Sequence, residues 1–461
     1  MLQVLPRDAM LSDWIKAPVI LIGYMVMAPM LGLLIGSRPD VRRWILGLMI
    51  FITSWHINKM TLMLDSIDTY RGLVRGFEFS WMDILSIALI VSLRSDRTRP
   101  ALGWPCGAGL YLLYCALSSV SIIHALNPLY ATMAAVKFTK ATLIFVAVYW
   151  SVREERDLRF ILRAIGFTLM IQALVALQMK YVQHIYQVRG WFEHQNAMAM
   201  WAYLFGLPLL ASAMARIGKI DGRWCIAGFG ASAILVQAAL SRASLLFFAA
   251  GVILTVLFSL MEKITARRVI FTTVLGFVGV LGILATLHTL MTRFHDEGNQ
   301  ASSDTRVAMN MAAHDMLHAT SYWGVGWNNF ALAINPPYPY GDVIDDDERA
   351  MGHRVDPDYA KGVVESHYWL LLAETGYLGS VSYFLLMGAT LWWVARGVFH
   401  YRHSVLGAFC IGLGIALAIT YVHSNFERTL TQTKNLYAWL MMIAIASKLS
   451  RGKVQLASPS L

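Results

Sequence analysis

Charge is what this chain has least of. Only 14% of its 461 residues are Asp, Glu, Lys or Arg, against about a quarter in an ordinary soluble domain, so a water-exposed globular surface is excluded. Cysteine is nearly as scarce: Cys106, Cys115, Cys225 and Cys410 all fall within or beside apolar runs and have no metal-ligand spacing. That excludes a disulfide framework and a zinc cluster. There is no sequence repeat, no low-complexity tract and no soluble linker, which argues against a solenoid or a string of domains.

What fills the chain is hydrophobic sequence, 57% of all residues at a mean hydropathy of +0.54. Apolar runs of bilayer-spanning length recur near 17–36, 41–58, 80–93, 103–123, 141–150, 160–179 and 197–215, then near 224–240, 243–260, 269–291, 377–395, 405–422 and 436–447. About twenty apolar residues suffice to cross a bilayer as a helix, so the expected fold is an all-α, polytopic helical membrane protein of about 12 to 13 transmembrane helices. The first run is too long for a signal-peptide core and lacks a small-residue cleavage site, so a retained helix is expected. The expected organisation is one integral domain: N-terminal transmembrane helices over 1–291, a long polar loop over 292–366, and C-terminal transmembrane helices over 367–461.

Orientation follows from the short connections, because cytoplasmic loops hold an excess of Lys and Arg. Alternate loops comply: Arg38/Arg42/Arg43, Arg94/Arg97/Arg99, Arg153/Arg156/Arg159, Arg216/Lys219/Arg223, Lys263/Arg267/Arg268, Arg396/Arg402 and Lys448/Arg451/Lys453. The intervening connections, the long loop among them, then face the outer side, and the N-terminus does too. The loop carries twelve Asp and Glu against five Arg and Lys, whereas the whole chain is formally +10. The positive excess is thus a topological signal that calls for membrane lipids as neighbours and for no nucleic acid.

A chain this apolar keeps some seventy residues in water at the loop, and ionisable groups beside a membrane mark reactions or ligands. Four segments share the outer face: VRGWFEHQNAMAM, SRASLL, SDTRVAMNMAAHDMLHATSYWGVGWNNF and VESHYWLLLAETGYLG. They bring Arg189, Arg242, Arg306 and His367 to it. Arg242 lies in a tight turn between two spans, where it either snorkels or offers its planar fork of donors to phosphate oxygens. Singly, Arg189 and Arg306 are ordinary juxtamembrane arginines; together, several cationic forks can hold a pyrophosphate. His367 can remove a proton from a hydroxyl, or serve as an interfacial histidine. Glu374, seven residues on, shares its helical face and needs an arginine or a helix terminus as partner. His194 and Asn196 can hydrogen-bond a sugar or phosphate, with Asn196 expected first as a helix N-cap. A helix is expected over 303–319, starting at a Ser303-Asp304 cap, and Gly324 and Gly326 allow a close turn. Trp323, Trp327 and Phe330 either stack on sugars or bury the loop, burial being the default. The acidic run GDVIDDDERA lacks calcium-loop spacing and is expected to be solvated. Asp65 and Asp68 leave room for a metal-dependent glycosyltransferase.

In order and membrane placement these segments, over roughly 188–379, resemble the O-antigen ligase and polymerase superfamily of bacterial membrane glycosyltransferases. The most specific pieces are GVGWNNF and SHYWLLLAETGYLG. The resemblance implies transfer of a glycan from undecaprenyl pyrophosphate to an acceptor hydroxyl, on lipid A-core or a growing glycan, with no metal, nucleotide sugar or other cofactor. It implies a site on the periplasmic face of the inner membrane. Arg242 and Arg306 match the family's donor-holding arginines, Arg189 a further positive group, and His367 the histidine that activates the acceptor. Glu374 takes a supporting role in the E-x-G-x-x-G segment, alongside Asn196 and His194. Two departures stand out: an additional N-terminal helix, and Tyr368 where the family often has a small polar residue. A ligase is the expected activity, a polymerase the nearest alternative, and a transporter or flippase a more distant one, since the noteworthy charges sit at the outer margin.

Overall fold

The computed structural model describes residues 7–55, 60–66, 70–96, 102–215, 218–294, 298–342, 344 and 361–456. Helices account for nearly all of it. The first half contains α1 (Arg7–Ile22), α2 (Ala28–Ile35), α3 (Pro39–Ile52), α4 (Trp81–Ser95), α5 (Cys106–Ser119), α6 (Pro128–Lys140), α7 (Thr142–Ser151), α8 (Glu155–Tyr181) and α9 (Gln195–Met214). Then come α10 (Lys219–Ala239), α11 (Arg242–Glu262), α12 (Ala266–Phe294), α13 (Gly298–Thr320), the short α14 (Phe330–Ala333), α15 (His367–His400), α16 (Val405–His423) and α17 (Thr433–Leu449). A small antiparallel hairpin, β1 (Met60–Leu62) against β2 (Phe77–Phe79), fills part of the α3–α4 connection.

Each of the thirteen apolar runs forms a helix over most of its described residues, which bears out the all-α polytopic expectation. Among the described residues eight stretches are long and apolar enough to cross a membrane, and the other five runs form α3, α4, α10, α12 and α17. The run at 141–150 is the second half of a longer stretch, Pro128–Ser151, and the run at 377–395 is part of His367–His400. One local expectation fails: α13 starts at Gly298, so Ser303 and Asp304 lie inside it and do not cap it. The acidic run from 345 onward and Asp68 lie outside the described residues.

Helix α9 is the axis of the bundle, buried along its whole length. With no hydrophobic drive between helices in lipid, close approach relies on small residues. Gly228 of α10 shows the rule: a Cβ there would stand 2.6 Å from the Gly166 Cα of α8. Only hydrogen at both positions lets these backbones touch.

Ion pairs fix one end of the bundle. Arg43 reaches Asp157 at 2.8 Å, Arg159 reaches Asp221 at 3.3 Å, and Arg268 reaches Glu262 at 2.8 Å. Arg42 is buried there with Asp96 at 2.9 Å and donates also to Ser92 Oγ at 2.8 Å and the Ser92 carbonyl at 3.0 Å. A buried pair of this kind adds little net stability but locks geometry, since removing one partner costs about 3–5 kcal/mol. The opposite end gathers the starts of α9, α11, α15 and α17 and the end of α16.

Candidate active site

Two glycine-broken segments build the floor of that opposite end. The helix of α15 is interrupted at Gly376 (φ 59°, ψ −161°), and the turn after α13 carries Gly324 at φ 73°. They pack face to face: a Cβ on Gly324 would lie 2.3 Å from the Glu374 carbonyl carbon, and one on Gly376 would lie 2.5 Å from Tyr322. The Val325 and Gly326 N–H groups donate to the Ala373 and Glu374 carbonyls at 2.9 and 3.1 Å, and Glu374 Oε1 accepts the Phe330 N–H at 3.1 Å. Glu374 therefore finds the helix terminus that its apolar setting demanded. The two asparagines of GVGWNNF extend the staple: Asn328 bonds both the Val74 N–H (3.1 Å) and carbonyl (2.7 Å), and Asn329 Oδ1 accepts the Asn127 N–H at 2.7 Å. Trp327 and Phe330 are buried, as the default reading expected, while Trp323 is 40% exposed.

Above this floor sits a charged cluster drawn from four parts of the chain. Arg306 of α13 pairs through Nε with Glu365 and through Nη2 with Glu427, 3.6 Å away. Glu427 follows α16 and also accepts from the Asn196 side chain at the start of α9. Its neighbour Arg428 is half-buried and donates to the Val363 and Val364 carbonyls at 2.8 and 3.4 Å, strapping the segment that leads to His367. Burial lowers the pKa of Arg428 from the usual guanidinium value, against the pull of Glu365 and Glu427. Burial also lowers His194; Glu365 opposes this, while Arg428, Arg306 and Arg189 reinforce it. Glu427 moves the other way. Burial first, then the nearby Glu365, push its carboxyl up to about 7, against Arg306, Arg428 and Asn196.

The residues expected from sequence fall into two groups. Arg306 and Asn196 share the cluster, with His194 beside them as the cap of α9. Arg189 occupies a turn held by the Val188 N–H on the Ala238 carbonyl at 3.2 Å, and its guanidinium reaches the Glu193 carbonyl at 3.5 Å. Arg242 is exposed at the first turn of α11, just after the left-handed Leu240 (φ 49°). One turn further on, Phe247 packs against Phe426, the neighbour of Glu427 in the chain, with ring centroids 5.9 Å apart and the planes tilted by 41°. His367 straddles the groups: its N–H donates to the Ser424 carbonyl at 2.9 Å, at the cluster's wall, but its ring is buried and lines a water-sized cavity of about 20 Å³ with Glu374, Trp327, Tyr114 and Thr431. Sharing that cavity confirms the common face expected from the seven-residue spacing.

The expected Asn196 N-cap is corrected. His194 is the N-cap, in extended conformation, with Nδ1 accepting the Asn196 N–H at 3.3 Å. Asn196 already lies in the first turn, which frees its amide to reach Glu427. Asp65 accepts a hydrogen bond from Tyr130 at 2.6 Å. Glu427, Arg428 and Lys434, whose ammonium reaches the Trp191 carbonyl, went unnoticed in sequence. The clue was VHSNFERTL, charges in the short outer hairpin between the last two spans.

Fold and site together define a multi-pass helical membrane protein with a cationic cluster gathered at one end of its bundle. Residues 227–384 match the family model described as O-antigen ligase. The match takes in Arg242, Arg306, His367 and Glu374, and its ends exclude Arg189, Asn196 and Glu427. No curated protein matches the chain. The family points to ligase- or polymerase-type glycan transfer in a membrane setting.

Proposed function

We propose that the protein is an O-antigen ligase-like glycosyltransferase of the bacterial inner membrane, moving a glycan from undecaprenyl pyrophosphate to an acceptor hydroxyl at the periplasmic face. The observation that carries this reading is the cluster in which Arg306 of α13 pairs with Glu365 and Glu427 while Glu427 accepts from Asn196 of α9, within a chain whose residues 227–384 match the O-antigen ligase family model. Arg242, Arg306 and Arg189 hold the donor diphosphate, and their fixed charge stabilises the negative charge that grows on it as the sugar leaves. Arg428 is committed to the Val363 and Val364 carbonyls and shapes the wall. Asn196, His194 and Glu374 support the site. By sequence, His367 assists the displacement, and a one-step displacement inverts the anomeric centre. Lipid A-core is the favoured acceptor.

The test is single replacement of Arg306, Arg242, Arg189 and His367, with sugar transfer assayed from a purified undecaprenyl-pyrophosphate donor in EDTA. Arg306→Ala should cost roughly 100-fold or more in turnover at preserved expression, the scale for losing one preorganised donor to developing charge. Arg306→Lys should recover little, because a point charge does not replace a planar fork. Unimpaired transfer by Arg306→Ala overturns the assignment, and loss of wild-type activity in EDTA overturns the metal-free mechanism. In a deletion strain, long unlinked chains identify a ligase and capped single units a polymerase.

A further inference from the structure

Glu427 is held in a way that a solvated surface carboxylate is not. Its side chain is 10% exposed, and its N–H donates to the His423 carbonyl at 3.1 Å, which fixes the backbone at the end of α16. Both described contacts of the carboxylate fall on one oxygen: Oε1 accepts from Asn196 and lies 3.6 Å from Arg306 Nη2. Oε2 has no partner among the described residues. The same Arg306 is the group assigned to the donor diphosphate, so an oriented carboxylate with a free oxygen stands beside the place where the glycosidic bond to phosphate breaks. The imidazole of His367 is arranged differently: neither of its ring nitrogens has a hydrogen-bond partner among the described residues, and the residue lines the small cavity beside Glu374.

We propose that Glu427 receives the proton of the acceptor hydroxyl during glycan transfer, with Asn196 as its positioning residue. This rests on the glycosyl transfer proposed above. In that step the acceptor oxygen forms a bond to the anomeric carbon and loses its proton to Glu427 Oε2. The bond between the anomeric carbon and the diphosphate oxygen breaks, and its electron pair leaves with the diphosphate, where the arginines neutralise it. The reaction needs no other reactant.

The groups facing Glu427 are Arg306 from α13, Glu365 from the segment before α15, Arg428 beside it, and Asn196 from α9. Glu365 opposes ionisation and the other three favour it. A carboxyl near 7 in that setting is ionised in about half the molecules at neutral pH and is basic enough to take a proton in the transition state. Turnover should therefore rise with pH along a limb centred near 7.

The experiment measures initial rates of transfer from the purified lipid-linked donor between pH 5.5 and 8.5 for wild type, Glu427→Gln, Glu427→Asp and Asn196→Ala, with melting temperatures in detergent. Glutamine keeps an oxygen for the Asn196 amide, so Glu427→Gln should fold normally and lose about 100-fold or more in kcat, with donor KM little changed, the scale of a missing general base. Glu427→Asp should restore part of kcat and the pH limb. Asn196→Ala should move the limb to higher pH, because the lost hydrogen bond favoured the charged form. If Glu427→Gln retains turnover within a few-fold and the pH limb, while Arg306→Ala abolishes transfer, this proposal fails and the glycosyl transfer stands. If Arg306→Ala also transfers normally, the functional reading itself has failed. An equal loss in Glu427→Gln and Glu427→Asp with a lowered melting temperature in both marks a structural lock and overturns the proposal.

Discussion

Glu374 receives the Phe330 N–H through Oε1 and the Gly326 N–H through its own carbonyl, so one residue secures both ends of the glycine turn. Glu374→Gln preserves an acceptor oxygen and should keep the melting temperature close to wild type. Glu374→Ala leaves the Phe330 N–H buried and unpaired, which costs about 1–3 kcal/mol, and it should melt several degrees lower in detergent. Equal damage from both substitutions would show that the carboxylate charge, and not the acceptor, matters. This pinning was legible in the sequence, because a glutamate within an apolar span demands a partner. The position of Asn196 was not. Residue type alone favours asparagine as a cap, whereas the helix starts two residues earlier and His194 takes the capping place. Glu427 and Arg428 were illegible for another reason: some 120 residues separate them from Arg306, and nothing in a single chain announces a contact across that distance.

Helix α15 and the turn after α13 meet through positions that only glycine can occupy. At φ 59° and ψ −161° Gly376 sits in a region closed to L residues, and the Tyr322 carbonyl carbon blocks the space a Cβ would need. Gly376→Ala should therefore destabilise by at least about 1–3 kcal/mol and reduce glycan transfer by displacing the floor beneath the cluster. Gly388→Ala is the control in the same helix: a Cβ there meets nothing within 4 Å, and the substitution should be neutral or slightly stabilising. A melting temperature unchanged in Gly376→Ala would contradict the packing described. At this scale the apolar runs located each stretch of membrane-spanning length, since twenty uncharged residues leave few alternatives. Breaks and joins escaped, because they depend on tertiary contacts: α6 and α7 continue as one stretch from Pro128, α13 begins five residues ahead of its expected cap, and α15 begins ten residues ahead of its apolar run.

Across the whole molecule the two ends of the bundle differ in chemistry. One is tied by arginine–carboxylate pairs within the connections rich in Lys and Arg; the other holds the cluster around Arg306. If the first end is cytoplasmic, as charge asymmetry requires, a single native cysteine reports it. Cys106 is exposed beside Arg451, and the other three cysteines are buried. A membrane-impermeant maleimide should label Cys106 in inverted vesicles and leave it unmodified in right-side-out spheroplasts. Ala319→Cys, exposed at the end of α13, should show the reverse pattern once Cys106 is replaced by serine. Labelling of Cys106 from the right-side-out face would place the arginine cluster in the cytoplasm, where a periplasmic ligation cannot occur.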